Sequence, residues 1–237
     1  MAILILCAAG KGKRLGKDLP KALVPIKNKP IFYYSLKNVF SSKVKKVIIA
    51  APKGWEDVFK TSLKKHFNKK ELVKVSYIIS GGKERQDSVY KGLVKIYDEN
   101  FKNNPIILVH NAANIFAKKS DFNKVIEGVK KDCACAVALP SVDTLRKLGK
   151  NFKILKKLER EKIWRTQTPQ GARLSVLMKA FKKAKKENFI GTDELELISR
   201  LGEKVKIIPG TKLNFKITFK QDFLKAKALI NLGNSHF

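Results

Sequence analysis

AILILCAAGKGKRLGKDLPKA, residues 2–22, decides the fold class of this chain. Its first six residues form a short apolar run typical of a buried β-strand, and glycines and cations follow directly. Gly10 and Gly12 let the backbone turn tightly, which brings its N–H groups close to an anion. Arg14 and Lys21 add full positive charges beside those groups. The stretch therefore predicts a strand followed by a loop that holds a triphosphate.

This loop differs from two well-known phosphate-binding motifs. It contains no G-x-x-x-x-G-K-[ST] sequence and no G-x-G-x-x-G sequence. Glycine–lysine loops also occur as plain turns, and the alternative for Arg14 is a surface salt bridge. The rest of the chain has to decide between these interpretations.

The length of the chain, 237 residues, suits one sizeable α/β domain with a single core. We predict one domain over residues 1–237. No apolar run approaches the length of a membrane span. The three cysteines, an odd number, argue against a disulfide framework and favour a reducing cytoplasm, and Cys133 and Cys135 are interpreted as core residues.

The net charge of +31 raises the question of nucleic-acid binding. Lysine supplies most of this charge in scattered pairs, whereas proteins that read nucleic acids favour clustered arginine with interleaved aromatic residues. We interpret the lysines as a solvated coat that steers anionic ligands toward the site. Nucleic-acid binding is not the expected function.

Short β-branched runs alternate with amphipathic segments along most of the chain. The predicted strands are Ile3–Cys7, Lys46–Ala51, Val75–Ser80, Ile106–His110, Ala134–Leu139 and Val205–Ile208. The predicted helices are Pro30–Phe40, Trp55–Phe67, Asp87–Tyr97, Asp121–Lys131, Leu174–Lys186, Asp193–Leu201 and Gln221–Leu232. This alternation predicts a Rossmann-like α/β fold, with a mostly parallel sheet and helices on both faces.

Special residues follow three of the predicted strands. They are the glycine loop after Cys7, the Gly81–Gly82 pair after Ser80, and residues 111–114 after His110. Ligands of such sheets lie beyond the carboxyl ends of the strands, so the three loops are expected to meet at one site.

The alternation breaks over residues 141–165. Gly149 and Asn151 separate two partly alternating runs there, which predicts a β-arm that projects from the body of the domain. Its apolar residues need a covering partner, so we predict a homodimer that forms through this arm.

Taken together, the motifs resemble the 2-C-methyl-D-erythritol 4-phosphate cytidylyltransferase family of the non-mevalonate isoprenoid pathway. The resemblance covers nearly the whole chain and rests on AAGKGKRL with PKA, GGKERQDSVYKGL, LVHNAA, ALPSVDTL, IWRTQTPQG, TDE and PGTKLNFKIT. Ribitol-5-phosphate cytidylyltransferases share most of these motifs and remain an alternative.

The resemblance implies an enzyme that transfers CMP from CTP to a polyol phosphate with Mg²⁺ and releases pyrophosphate. No covalent intermediate forms, so catalysis consists of positioning and charge stabilisation. The residues implied to bind the nucleotide are Ala8, Ala9, Gly10, Gly12, Lys13, Gly81, Gly82 and Ser88. Without the resemblance, Ser88 is equally well explained as a helix cap.

The resemblance also implies three catalytic cations and an acceptor site. The cations are Arg14, Lys21 and Lys216. The residues expected at the acceptor are Asn111, Asn114, Thr144, Arg160 and Thr168, with Thr144 and Arg160 reaching the site from the partner's arm. From the residues alone, Arg160 would be a solvated surface arginine, and Arg85 is expected to brace the loop at Gly81.

The chain departs from the family after the fourth predicted strand. The family usually reads HDAARP where this chain reads HNAANI, so Asn111 and Asn114 replace an aspartate and an arginine. Asparagine is a weaker Mg²⁺ ligand than aspartate, and losing a charge-assisted contact typically costs about 1.5–3 kcal/mol.

Three explanations of this departure remain open. Lys118 or Arg160 compensates for the lost charge, the acceptor is another polyol phosphate, or the chain is a degenerate protein that only binds CTP. Asp143, beside Thr144, is a further candidate for the metal, while His110 is expected to be a hydrogen-bonded core residue.

Overall fold

A seven-stranded sheet organises the computed structural model, which describes residues 1–12, 19–100 and 104–232. The strands, in chain order, are β1 (Ala2–Cys7), β2 (Pro25–Ile26), β3 (Lys29–Pro30), β4 (Lys46–Ala51), β5 (Val75–Ser80), β6 (Ile106–Asn111), β7 (Ala134–Pro140), β8 (Arg146–Leu148), β9 (Ile154–Lys157), β10 (Trp164–Arg173) and β11 (Val205–Pro209). Two short pairs, β2–β3 and β8–β9, stand apart from the main sheet.

The order of strands in the main sheet is β11-β7-β10-β6-β1-β4-β5. Strands β1, β4, β5 and β6 pair in parallel, as do β7 and β11, and only β10 runs antiparallel to its neighbours. The predicted mostly parallel sheet is therefore confirmed. From β1 the chain builds outward through β4 and β5 and then returns to β6 on the other side of β1. This reversal opens a crevice at the carboxyl ends of β1 and β6.

Helices cover both faces of the sheet. They are α1 (Ile31–Phe40), α2 (Glu56–His66), α3 (Lys69–Leu72), α4 (Arg85–Asp98), α5 (Lys119–Lys131), α6 (Leu174–Lys186), α7 (Glu194–Ser199) and α8 (Lys220–Asn231). One buried cluster joins α1, α2 and α5 to the sheet, and a second joins α4, α6 and α7 to its other face. In the described ranges, no helix combines the length and the apolar character that crossing a membrane requires.

Strand β1 shows why these residues form the centre of the sheet. Ile3, Leu4, Ile5 and Leu6 are all essentially inaccessible to solvent, because β1 lies between β4 and β6 with a helical layer on each face. Such a strand is apolar at every position instead of alternating.

Strand β10 was not predicted as a strand. Its sequence, WRTQTPQGAR, is largely polar and contains Pro169 and Gly171, which suggest a turn when read alone. The structure places it between β6 and β7, with an irregularity between Thr166 and Gln170 in its pairing to β7. Pro169 falls within that irregularity, so the missing N–H leaves the ladder intact on either side.

Residues 141–165 contain the short antiparallel pair β8–β9, as the sequence pattern predicts. The side chains of this arm are mostly exposed, including Phe152 at 87% and Ile154 and Leu155 at 61% each. A third buried cluster, around Ile26, Phe116 and Ile217, anchors α8 and the chain before it against the loop after β6.

Candidate functional site

A cavity of about 420 Å³ opens at the carboxyl edge of the sheet. Its lining comes from the ends of β6 and β7, the first half of β10, the start of α4, the segment before α7 and the chain before α8. The lining residues are Arg85, Asn111, Asn114, Leu139, Arg165, Thr166, Gln167, Thr168, Gln170, Thr192, Asp193, Lys212, Asn214, Phe215 and Lys216. Of the three loops expected to meet at one site, the one after β6 contributes lining residues, whereas residues 8–12 and the Gly81–Gly82 pair are not in this lining.

The backbone after β1 is tied to both neighbouring strands. Ala8 N–H donates to Ala50 C=O at 2.9 Å, and Ala112 N–H donates to Cys7 C=O at 3.1 Å. Ala8 is buried and Ala9 is half-buried beside it. The loop therefore leaves the sheet from a fixed point at the crevice between β1 and β6.

Gly12 needs to be glycine for two reasons. Its φ is +74°, and a Cβ at this position would lie 2.8 Å from Leu19 O. Gly10 differs, because a Cβ there would meet nothing within 4 Å, so open space lies above its backbone. Lys13 and Arg14, predicted to contact phosphates, lie outside the described residues.

Lys21 connects the loop after β1 to the segment that precedes α8. Its N–H donates to Gly10 C=O and its Nζ donates to Ile217 C=O, both at 3.0 Å. Ile217 N–H in turn donates to Ala113 C=O at 2.9 Å. Lys21 and its neighbours at 113 and 217 thus come from three distant parts of the sequence and meet at one point.

Gly81 and Gly82 are predicted to allow a close approach to cytosine. The structure shows a further reason why both positions need glycine. A Cβ on Gly81 would lie 2.6 Å from Ala9 Cβ, and one on Gly82 would lie 2.1 Å from Asp87 Cβ. The two glycines therefore pack the loop after β5 directly against the loop after β1 and the start of α4.

Ser88 is buried rather than open to solvent. Its Oγ accepts the N–H of Gly82 at 2.9 Å and donates to Glu84 C=O at 3.2 Å. The hydroxyl proton is therefore used within the protein, and what Ser88 does in this structure is brace the Gly81–Gly82 loop.

Three of the residues predicted at the acceptor lie together in the lining of the cavity, namely Asn111, Asn114 and Thr168. Asn111 Nδ2 donates to Asn114 Oδ1 at 3.1 Å, and the backbone N–H of Asn111 donates to Thr168 Oγ1 at 3.3 Å. Asn214, which precedes the lysine of the last segment, is fully buried and accepts from Asn114 Nδ2 at 3.2 Å. The last residue of β6, the bulge of β10 and the chain before α8 are thereby held in one network.

His110 lies beneath this network and is completely buried. Its Nε2 lies 3.2 Å from Asn114 C=O, an acceptor, so Nε2 carries the proton. Its Nδ1 lies 2.9 Å from Thr168 Oγ1 and therefore accepts the hydroxyl proton. Burial lowers the pKa of His110 to about 3, although its hydrogen bond to Asn114 opposes the change. The imidazole is neutral and fixes the direction of the Thr168 hydroxyl, as expected of a hydrogen-bonded core residue.

Arg85 and Glu194 were not predicted as site residues. Arg85 Nη1 and Nη2 donate to the two carboxylate oxygens of Glu194 at 2.7 and 2.9 Å, and its Nε donates to Asn111 Oδ1 at 2.9 Å. Burial opposes the charged form of Arg85, but the Glu194 carboxylate raises the pKa of the guanidinium. The two residues lie 109 positions apart, in RQD and TDE, where each resembles an ordinary helix-end residue.

Cys7, at the end of β1, carries an un-ionised thiol. Burial raises its pKa to about 11, although the nearby positive charge of Arg85 opposes this change. The thiolate is the nucleophilic form, so this residue is a packing residue at the base of the site.

The lining of the cavity carries an excess of positive charge. Three of the lining residues, Arg165, Lys212 and Lys216, are cations, and Asp193 is the carboxylate in the same lining. The charge of Arg85 is neutralised by Glu194. Lys216, predicted to be catalytic, belongs to this lining. The arrangement favours a ligand with several negative charges.

Two residues predicted at the acceptor, Thr144 and Arg160, do not reach the cavity of their own chain. Both are exposed on the arm, and Arg160 Nε lies 3.3 Å from Glu161 Oε1. Asp143 is likewise exposed at the root of the arm. Lys118, suggested as a compensating cation, is at the start of α5 and is absent from the residues that line the cavity.

The residues at the cavity do not form a dedicated metal site. Within the described ranges, no three His, Cys, Asp or Glu side chains are grouped so as to hold an ion. Asn111, at the family's aspartate position, turns its oxygen toward the Arg85 guanidinium, which disfavours a cation there. Asp193 accepts from Gln170 Nε2 and from Glu196 N–H.

Known proteins match this chain over almost its whole length. The model of the family described as 2-C-methyl-D-erythritol 4-phosphate cytidylyltransferase matches residues 2–232. The enzyme of that name from Dictyoglomus thermophilum is 35% identical over 96% of this chain and 95% of its own length. The one from Alkaliphilus metalliredigens is 32% identical over 96% of this chain and 92% of its own.

Solved structures support the same fold. The crystal structure of 4-diphosphocytidyl-2C-methyl-D-erythritol synthase from Anaerococcus prevotii superposes with a TM-score of 0.82. The match covers 97% of this chain and 96% of that one at 24% identity. The Thermus thermophilus cytidylyltransferase gives a TM-score of 0.75 at 27% identity, over 97% and 98% of the two chains.

Proposed function

The chain belongs to the 2-C-methyl-D-erythritol 4-phosphate cytidylyltransferase family, and on that premise we propose its reaction. It is a nucleotidyltransferase that transfers CMP from CTP to 2-C-methyl-D-erythritol 4-phosphate, in the biosynthesis of isoprenoid precursors. The observation that carries this conclusion is the family match over residues 2–232. No comparison favours ribitol 5-phosphate as the acceptor.

The reaction needs an acceptor phosphate held in line with the α-phosphorus of CTP. An oxygen of the acceptor phosphate forms a bond to that phosphorus while the bond to the bridging oxygen of the β-phosphate breaks. The products are CDP-methylerythritol and pyrophosphate, which carries away the electron pair of the broken bond. We assign the positioning of the acceptor to the cavity, whose surplus of positive charge suits a phosphate.

We assign charge stabilisation to Lys21 and Lys216, together with Arg14 from outside the described residues. Lys21 lies at the crevice between β1 and β6, and Lys216 lines the cavity on the adjoining segment. Developing negative charge on the transferred phosphate is best stabilised by cations that are already in place. The Lys21 contact to Ile217 holds its ammonium group there before CTP binds.

We propose that Mg²⁺ enters as a complex with CTP. Mg²⁺ keeps several waters and takes few protein ligands when it binds a nucleotide, so a cage of protein carboxylates is unnecessary. This agrees with the donor set at the cavity, where Asn111 directs its oxygen toward Arg85.

A cytoplasmic location also stays a prediction, from the cysteine content of the chain.

We further propose that two chains associate through the arm of residues 141–165. Leu148, Phe152, Ile154 and Leu155 each expose between 47% and 87% of their surface, which is unusual for apolar side chains so close in sequence. Association would cover them and bring Thr144 and Arg160 to the partner's acceptor.

The direct test measures pyrophosphate release with CTP, Mg²⁺ and methylerythritol phosphate, with ribitol phosphate in a parallel reaction. We expect turnover with methylerythritol phosphate. Lys21→Ala should lower kcat by at least tenfold, because a charge-assisted contact is worth about 1.5–3 kcal/mol. Lys27→Ala, a change of the same kind on the exposed β2–β3 turn, is the matched control and should keep wild-type activity. Absence of turnover with methylerythritol phosphate contradicts the proposed function.

A further inference from the structure

A continuous chain of side-chain hydrogen bonds crosses the floor of the cavity. It starts at the buried carboxylate of Glu194 and ends at the backbone carbonyl of Thr168. Its successive members are Glu194, Arg85, Asn111, Asn114, Asn214 and Thr168, and each contact between neighbours measures between 2.7 and 3.2 Å. Three of the members are asparagines, whose amides have a donor end and an acceptor end.

Arg85 fixes the direction of this chain at one end. A guanidinium group only donates, so the group that faces Arg85 Nε has to be the oxygen of Asn111. The Nδ2 of Asn111 then points to Asn114 and donates to its Oδ1. Glu194 holds Arg85 by both carboxylate oxygens, so the guanidinium cannot turn away without leaving a buried charge unpaired.

The carbonyl of Thr168 fixes the direction at the other end. A carbonyl only accepts, so Asn214 presents its Nδ2 there, at 2.8 Å. Asn114 Nδ2 donates to both Oδ1 and the backbone carbonyl of Asn214, at 3.2 Å each. Reversing any one amide would set a donor against a donor and an acceptor against an acceptor. Asn114 and Asn214 are almost fully buried, so water cannot satisfy the mismatched groups.

We propose that Arg85, held by Glu194, is a positioning residue that fixes the orientation of the Asn111 amide, and that residues 111 and 114 act as one unit. Residue 111 then contributes an N–H donor to the cavity it lines, at the position where the family motif usually has an aspartate, which only accepts. On the proposed function, on which this consequence rests, that donor meets an oxygen of a phosphate ligand. The two departures from the family motif are thus a single, matched change.

The donor-to-acceptor direction of this hydrogen-bond chain predicts how substitutions at positions 111 and 114 combine. In Asn111→Asp, an acceptor-only carboxylate faces Asn114 Oδ1. In Asn114→Arg, a donor-only guanidinium faces Asn111 Nδ2. In the double variant the carboxylate accepts from Arg85 on one side and from the new arginine on the other. That arginine can also donate to the Asn214 carbonyl, and the cavity beside residue 114 offers it room.

The test is a double-mutant cycle of Asn111→Asp, Asn114→Arg and the combined variant. We expect each single change to lower kcat/KM for the acceptor at least tenfold, and the combined variant to recover at least tenfold over the weaker single. The KM for the acceptor should rise more than the KM for CTP, a split that a general structural defect would not produce. Losses that multiply, or that fall equally on both substrates, overturn the proposal.

Thermal unfolding of the same four proteins tests the orientation without any activity. Each single variant should unfold at a lower temperature than the wild type, and the combined variant should unfold above both. If a single variant fails to fold, folding of the combined variant supports the proposal and its failure overturns it. Asn123→Asp is the control, since its Oδ1 only accepts from Lys43 N–H and a carboxylate can do the same. An inactive wild type whose unfolding still follows this pattern would contradict the proposed function alone.

Discussion

His110 is the last residue but one of the buried strand β6, and it fixes the Thr168 hydroxyl without access to solvent. An ordinary histidine has a pKa near 6.5, and burial brings that of His110 to about 3. Between about pH 3 and pH 6.5, the imidazole of His110 binds a proton in the unfolded chain but not in the folded chain. The contribution of His110 to the free energy of unfolding should therefore fall as the pH drops through this window and should stay constant above about pH 7.

Denaturant unfolding at pH 8 and pH 5 measures this effect. His110 should contribute a loss of about 2 kcal/mol at pH 5, since 1.5 pH units below 6.5 correspond to about 1.36 kcal/mol each. In His110→Gln, which does not titrate, that part of the difference should vanish. His66→Gln, at a half-buried site away from the cavity, should keep most of it. An unchanged pH dependence in His110→Gln contradicts the prediction.

The residues of the site differ in how far sequence alone could reveal them. Asn111, Thr168 and Lys216 stand in recognisable motifs, and all three line the cavity. Arg85 was expected to brace the loop at Gly81, but its pairing with Glu194 was missed because it joins positions 109 apart and no local pattern encodes it. Only the fold shows that the guanidinium and carboxylate neutralise each other beside Asn111.

Single elements show the same contrast. Strands β1, β4, β5, β6, β7 and β11 were predicted to within one or two residues. The inner strands of this set are continuous apolar runs, and the edge strands β5 and β11 still carry several Val and Ile residues. Strand β10 was missed, since its first half lines the cavity and is largely polar. The pair β2–β3 and the helix α3 were missed as well, because two- and four-residue elements carry too short a pattern.

The arm of residues 141–165 gives a prediction at the scale of the element. Phe152→Ser with Leu155→Ser should weaken association at least tenfold, because burying one such side chain is worth about 1.5–3 kcal/mol. Light scattering across a concentration series measures the shift toward monomer. Lys147→Ser with Lys156→Ser, exposed on the same arm, provides the control for altered arm residues. A wild type that stays monomeric and fully active would contradict the role of the arm.

At the scale of the whole molecule, charge is unbalanced, with 51 Lys and Arg residues against 20 Asp and Glu. Salt acts in two opposing ways on such a protein. It weakens the exposed ion pairs, of which the described residues form several, each worth about 0.2–1 kcal/mol. It also screens the repulsion among the cations, which outnumber the carboxylates of the chain.

Screening of repulsion should dominate, so the thermal unfolding midpoint should rise by several degrees between about 20 mM and 500 mM KCl, where the Debye length falls from roughly 20 Å to 4 Å. Differential scanning calorimetry at constant pH measures this change. Equal osmolality of sucrose controls for general solvent effects. A midpoint that falls with KCl would show that the ion pairs outweigh the repulsion.

The position of β10 between β6 and β7 also sets an order of events during synthesis on the ribosome. Strands β1, β4, β5 and β6 are contiguous in the sheet, and all four have been translated by residue 111. The outer edge of β6 then stays unpaired until about sixty more residues, including all of β7 and the arm, have been translated. The nascent chain therefore carries an exposed, strongly apolar β-edge for several seconds at typical elongation rates of about 5–20 residues per second. A ribosome-associated chaperone, or a pause in translation between β6 and β10, would therefore have its greatest effect on the yield of this protein within that interval.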